Sequence, residues 1–150
     1  MKLIIPPPIY GLTFFAGMWS LNSLLPQFSF SFIAQKPLAT IVIIMGLTID
    51  VIAIISFIKI KTTINPRSPQ NTNQLVTAGL YRYSRNPMYL GLLLLLFGAA
   101  LWLGNPANVF LLLLFLLLIT LFQIKPEEKI LCEKFGSDYR HYCEKVRRWL

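Results

Sequence analysis

The polar residues that could support chemistry in this chain fall in two short stretches. One runs Gly79-Leu80-Tyr81-Arg82-Tyr83-Ser84-Arg85-Asn86-Pro87-Met88-Tyr89-Leu90-Gly91 and supplies Tyr81, Arg82, Arg85, Asn86 and Tyr89. The other holds Gln123, Glu127 and Glu128. Arginines, carboxyls and tyrosines together suit a ligand that is zwitterionic and also carries a cation. Carboxylates can hold an ammonium group or ribose hydroxyls, and a helix N-terminus with Arg85 can hold a carboxylate. Tyrosine faces can sit against a sulfonium. The same residues also read as ion pairs that stitch a charged collar together, and residue type alone leaves both readings open. Asp50 stands apart, between Ile49 and Val51 inside an apolar run. A charge at mid-bilayer costs roughly 2.5–3.5 kcal/mol on insertion scales. Asp50 is therefore expected to be protonated, paired or turned to a polar cavity, where it is a candidate substrate-binding residue.

Other chemistries lack their residues. The chain has one histidine, His141, so neither a histidine triad nor a histidine metal site is expected. No Gly-rich dinucleotide loop, phosphate loop or H-E-x-x-H helix occurs. Cys132 and Cys143 have no metal-ligand spacing and read as free cytosolic thiols. No metal is expected.

The elements that must position these residues are apolar. Of 150 residues, 55% are hydrophobic and 13% charged, against about 25% charged in soluble domains. A net charge of +8 could indicate nucleic acid, but a soluble basic binder does not carry long uncharged runs, so no nucleic-acid partner is expected. Four stretches approach the roughly 20 residues a bilayer requires, namely 9–25, 38–58, 87–104 and 107–124. They predict an all-α fold, a polytopic membrane helix bundle forming a single domain over 1–150, with a helical tail over 125–150. Met1-Lys2-Leu3 runs into Pro6-Pro7-Pro8 without a small-residue cleavage site, so no signal peptide is expected. Asn105-Pro106 predicts a tight hairpin between the last two spans. That hairpin brings the start of the third span beside the end of the fourth.

Basic residues set the expected topology. Lys2, five residues between 59 and 86, and seven after 124 put thirteen of the fourteen Lys and Arg on one side. Only Lys36 falls on the other. The positive-inside rule then places both termini, the 59–86 loop and the site in the cytosol. Within that loop, Thr62 to Asn73 reads as irregular. Asn86 is expected to cap the third span, with Pro87 at its first position. The tail reads as two short amphipathic helices, one starting at Pro126 and ending at Phe135-Gly136, the next capped by Ser137.

At these residues the chain closely resembles the isoprenylcysteine carboxyl methyltransferase family of integral membrane proteins, within the broader group that includes phospholipid methyltransferases. The matching blocks are Leu75-Val76-Thr77-Ala78-Gly79-Leu80-Tyr81, Arg85-Asn86-Pro87-Met88-Tyr89-Leu90-Gly91, Asn105-Pro106, Glu127-Glu128, and Phe135-Gly136-Ser137-Asp138-Tyr139 with Tyr142. The resemblance implies S-adenosyl-L-methionine as cofactor, bound by Leu75, Val76, Tyr81, Asn86, Pro87, Met88, Tyr89 and Glu127. It makes Arg85 and Glu128 catalytic candidates, with Gln123 joining Asp50 at the substrate. Asn86 stands where the family usually has histidine, and Gln123 where the eukaryotic enzymes have an arginine that touches the substrate carboxylate. Asparagine cannot act as an acid or base near neutral pH.

The expected function is methyl transfer from S-adenosyl-L-methionine to a lipophilic or small hydrophobic acceptor within a lipid environment. By resemblance the acceptor is a carboxylate, and a phospholipid amine or a thiol is the alternative. Two readings come from other classes. One is a small four-span transporter of hydrophobic cations, in which Asp50 would bind the cargo. The other is a structural membrane subunit. The oligomeric state is left open.

Overall fold

The structure is a computed structural model that describes residues 6–59 and 75–150. The expected irregular segment from Thr62 to Asn73 lies outside the described residues. The described fold is all-α. Helix α1 spans Pro7–Leu24, α2 Gln35–Lys59, α3 Pro87–Leu103, α4 Asn108–Ile119 and α5 Lys125–Lys145. Short 3-10 turns lie at Pro26–Phe28 and Gly79–Arg82. Prolines start α1 and α3, where their missing N–H groups cost nothing.

Among the described residues, two helical runs are long and apolar enough to cross a membrane. They are the Gln35–Ser56 part of α2 and the continuous run Asn108–Lys145. Helix α3 is a shorter apolar helix. Helix α1 is diluted by Ser20, Asn22, Ser23 and its leading prolines. The outward faces are apolar: Leu12, Trp19, Ile44, Leu47, Phe110 and Leu113 are all well exposed. Such a surface fits a helix bundle solvated by lipid.

Helix α3 is central and touches α1, α2 and α4. On one side a core of Phe14, Met18, Leu96, Phe115, Ile119 and Ile124 joins α1, α3 and α4. Phe14 and Phe115 meet edge to face with centroids 5.4 Å apart. On the other side, α2 packs antiparallel on α3 along small residues. Ala39, Gly46 and Ala53 recur every seventh position on α2, and Gly91 and Gly98 do so on α3, and all five are buried. A Cβ on Gly46 would lie 2.8 Å from the Gly91 carbonyl, and one on Gly98 would lie 3.1 Å from the Ala39 carbonyl. Backbone therefore meets backbone, the mode of contact that helices use where no hydrophobic drive separates them from their solvent.

The expected hairpin at Asn105-Pro106 is present. Gly104 ends α3 in the left-handed conformation with φ +70°. Asn105 accepts from the Ala107 N–H through Oδ1 at 3.0 Å and donates through Nδ2 to the Leu25 carbonyl at 2.9 Å. Gln35 donates to the Leu101 carbonyl at 2.7 Å, which fastens the start of α2 to the same end.

The expected break before Pro126 is absent. A π turn over Thr120–Ile124 carries α4 directly into α5. A proline inside a helix clashes with the carbonyl four residues back, here that of Phe122, and the widened turn accommodates Pro126. The break falls at Gly136 instead, with φ +51° and ψ −117°, so the tail does form two helical halves. Only glycine holds such a conformation without strain.

Substitution of Gly91 tests the seam. Its Cβ would overlap the Asp50 carboxyl and stand 2.9 Å from the Gly46 carbonyl. Gly91→Val should destabilise the protein by about 1–3 kcal/mol. At Gly17, where a Cβ meets only Leu111 at 3.7 Å, replacement by alanine should be neutral or stabilising by up to about 1 kcal/mol. Thermal unfolding of the two variants in detergent measures both.

Candidate functional site

The π turn and the α2–α3 seam converge on the first turns of α3. In the π turn Gln123 becomes almost fully buried. Its Nε2 donates to Glu127 Oε1 at 3.1 Å, and Tyr89 donates its hydroxyl to the same oxygen at 2.7 Å. Residues from α3, the π turn and α5 thus share one carboxylate oxygen. Adjacent helix positions point about 100° apart, so Glu128 faces elsewhere. It accepts from Arg148 through two bonds, Nε to Oε1 at 3.0 Å and Nη2 to Oε2 at 2.7 Å. Arg85 Nη1 lies 3.2 Å from the same Glu128 Oε1 and 2.7 Å from Cys143 Sγ.

The loop before α3 forms an apolar wall. Val76 and Tyr81 are buried with Ala53 of α2, and Met88 packs against them. Leu75 turns to the other side and joins Tyr139, Tyr142 and Val146 of the tail. The 3-10 turn Gly79–Arg82 directs Tyr81 inward, and the Tyr81 carbonyl accepts the Tyr142 hydroxyl at 2.6 Å. Burial, with the nearby Tyr142, Glu127 and Asp50, holds the Tyr81 phenol well above its ordinary range. Burial does the same for Tyr139 and Tyr142. All three therefore stay protonated and act as donors.

Asn86 does occupy the N-cap position of α3 but makes no side-chain capping bond. Its Nδ2 donates instead to the Arg148 carbonyl at 3.0 Å, and its own N–H is met by Ser84 Oγ at 3.1 Å. Local capping chemistry is overridden here by a contact 62 residues away. The Arg85 N–H donates to the Arg147 carbonyl at 3.0 Å. Asp50 projects from α2 against Gly91, and its Oδ1 is buried without a hydrogen-bond partner among the described residues.

The expected site residues therefore gather in three groups. Tyr89, Gln123 and Glu127 share one oxygen. Arg85 and Glu128 form an ion pair, which was the collar reading of those two residues. Val76, Tyr81 and Met88 pack together on Ala53, beside the buried Pro87, with Asp50 on the neighbouring helix against Gly91. The paired glutamates do not act as a pair. Sequence reading missed Arg148, Ser84, Tyr142 and the inward turn at Gln123. Arg148 bonds to a residue twenty positions back and to Asn86 far upstream, so no local pattern marks it. Among the described residues, no group of three or more His, Cys, Asp and Glu could hold a metal.

An all-α bundle with lipid-type outer faces and a half-buried carboxyl beside a helix start defines a membrane-associated helical protein. The sequence profile of the phospholipid methyltransferase family matches residues 34–138, and the chain belongs to that family. It is 52% identical over 63 residues to an uncharacterized protein of Haemophilus influenzae, covering 42% of this chain and all of that one. It is 35% identical over 77 residues to the protein-S-isoprenylcysteine O-methyltransferase of Saccharomyces cerevisiae, 51% of this chain and 32% of that one. A probable protein-S-isoprenylcysteine O-methyltransferase of Oryza sativa subsp. indica is 29% identical over 110 residues, 73% of this chain and 58% of that one. The alignments thus span about a third to under two thirds of those named methyltransferases. No solved structure matches.

The half-buried Glu127 carboxyl carries a pH signature. Burial pushes Glu127 up to about 7 from 4.5, although Tyr89 and Gln123 stabilise its ionised form. Between those values the folded protein holds a proton that the unfolded chain has lost. The contribution of this group to stability is therefore full below about 4.5 and is lost as pH rises through about 7. Glu127→Gln should flatten that decline. Unfolding midpoints of both proteins at about pH 5 and about pH 8 check it.

Proposed function

We propose that this protein is an integral membrane methyltransferase that uses S-adenosyl-L-methionine and methylates a lipophilic acceptor. In this reading the chain crosses the bilayer four times, over 9–25, 38–58, 87–104 and 107–124, with both termini and the site in the cytosol. The charge distribution supports that topology. Family membership supports the reaction class. The observation that carries the assignment to this site is the shared Glu127 oxygen. A half-buried carboxyl is held there by Tyr89 and Gln123 at the start of α3, beside the wall of Val76, Tyr81 and Met88.

These residues fit the cofactor. Tyr89 and Gln123 both hold Glu127 Oε1, so Oε2 is the oxygen they do not hold. It suits an ammonium or ribose hydroxyls. The free N–H groups at the start of α3, behind Asn86 and Pro87, suit a carboxylate. Tyrosine faces suit a sulfonium, and Val76 and Met88 supply apolar surface. When bound, the cofactor supplies a methyl group on a positively charged sulfur that an acceptor displaces in line. The chain contributes positioning and exclusion of water. Arg85 and Glu128, proposed as catalytic from the sequence, are better described as the pair that shapes this mouth, since each is engaged with the other.

By resemblance the acceptor is a carboxylate, with Gln123 and Asp50 beside it. One observation favours a second reading, an amine acceptor. Arg85 and Arg148 both face Glu128, whereas Asp50 brings an unpartnered carboxyl oxygen to the seam. A carboxylate acceptor would therefore find the two guanidiniums engaged, and a cationic headgroup would find an acid.

Calorimetry with S-adenosyl-L-methionine on the folded protein in detergent tests the assignment. Binding should strengthen as pH rises toward about 7, because a cation prefers ionised Glu127. Glu127→Gln should weaken binding about tenfold and remove the pH dependence. No binding by folded protein sinks the enzyme reading and returns the transporter. Incubation of membranes with methyl-labelled cofactor identifies the acceptor: a base-labile ester indicates a carboxylate, and a base-stable labelled headgroup an amine.

A further inference from the structure

Residues 146–149 follow α5 and cross over the start of α3. Their anchors lie on both sides. Val146 is buried with Tyr139 and Tyr142, and Trp149 packs against the core that joins α1, α3 and α4. Between them, Arg148 bonds in two directions. Its guanidinium grips both oxygens of Glu128, at 3.0 and 2.7 Å. Its carbonyl accepts Asn86 Nδ2 at 3.0 Å and Ser84 Oγ at 3.4 Å. The neighbouring Arg147 carbonyl takes the Arg85 N–H at 3.0 Å. Arg148 thus ties the first turn of α5 to Ser84 and Asn86, and its neighbour Arg147 holds Arg85 between them.

We infer that Arg148 is a positioning residue of the site, holding Asn86 and Arg85 in place from the C-terminal strap. The inference rests on the methyltransferase reading of that site. With its Nδ2 engaged by the strap, Asn86 keeps its Oδ1, an acceptor, to offer to a ligand. Glu128 receives two guanidiniums and is neutralised, which leaves Glu127 as the acid of this end that a cationic ligand meets. The guanidinium fork explains the residue type. A lysine ammonium is a point charge and cannot hold both carboxylate oxygens in one plane. The Arg148 side chain is 35% exposed, and a partly exposed ion pair adds little to global stability. Its consequence is local: without it, only the Val146 and Trp149 anchors hold the strap carbonyls over Ser84, Arg85 and Asn86.

The test uses the full chain in detergent, with S-adenosyl-L-methionine affinity by calorimetry and amide hydrogen exchange over 84–90 as separate readouts. Arg148→Ala should weaken the cofactor by about tenfold and speed exchange at Arg85 and Asn86. Arg148→Lys should recover part of both. Glu128→Gln should act like Arg148→Ala, and the double variant should be no weaker than the weaker single one. Wild-type affinity and wild-type exchange in Arg148→Ala overturn the positioning role alone. A wild-type protein that binds no cofactor overturns the methyltransferase reading, and the positioning role falls with it. If Arg148→Ala does not fold, Arg148→Lys decides by the same two readouts.

Discussion

Gly46 and Gly91 let the backbones of α2 and α3 touch, and the site depends on that approach. In lipid, two apolar helices gain little by leaving their solvent for each other, so association relies on close packing. Small residues every seventh position supply it. The consequences reach both ends of the seam. At one end Gly98 sits against Ala39, with Gln35 fastened to the Leu101 carbonyl. At the other, Ala53 forms the floor on which Val76, Tyr81 and Met88 pack. Asp50 meets Gly91 between them. A larger residue at Gly91 would part the helices and move this floor away from Tyr89.

The second constraint is the division between Glu127 and Glu128. They are neighbours in sequence and face different partners because a helix turns about 100° per residue. Glu127 is held by the neutral donors Tyr89 and Gln123, and burial opposes its ionisation. Glu128 is met by two arginines. The π turn at Thr120–Ile124 sets this phase. It lets Pro126 continue the helix, turns Gln123 inward, and aims Glu127 at Tyr89. The same backbone feature thus solves a proline problem and orients the carboxyl.

Much of the scaffold was legible. Long uncharged runs announced apolar helices, Asn105-Pro106 announced the hairpin, and Gly136 announced the break in the tail. Each of these follows from a local property, hydropathy over one span or the backbone freedom of one residue. The hairpin implied that the start of α3 meets the residues after α4, but not that Tyr89 bonds Glu127. Less was legible where residues compete for partners. Asn86 looked like a helix cap because its neighbours favour one, and the strap carbonyl took its amide instead. Arg85, Glu127 and Glu128 looked interchangeable, as members of a collar or of a ligand site.

The sequence by itself determined that this chain belongs among apolar helices and that its usable polar residues lie at the start of α3 and just after α4. Composition and spacing are enough for that, because partition between lipid and water acts on each segment separately. Only the tertiary structure decided that Glu127 meets Tyr89 and Gln123 while Glu128 meets two arginines, that Asp50 faces Gly91, and that Arg148 reaches both Glu128 and Asn86. Those outcomes depend on the phase of the π turn and on the path of the last residues over α3. Both are set by packing between segments far apart in the chain, and no local pattern encodes them.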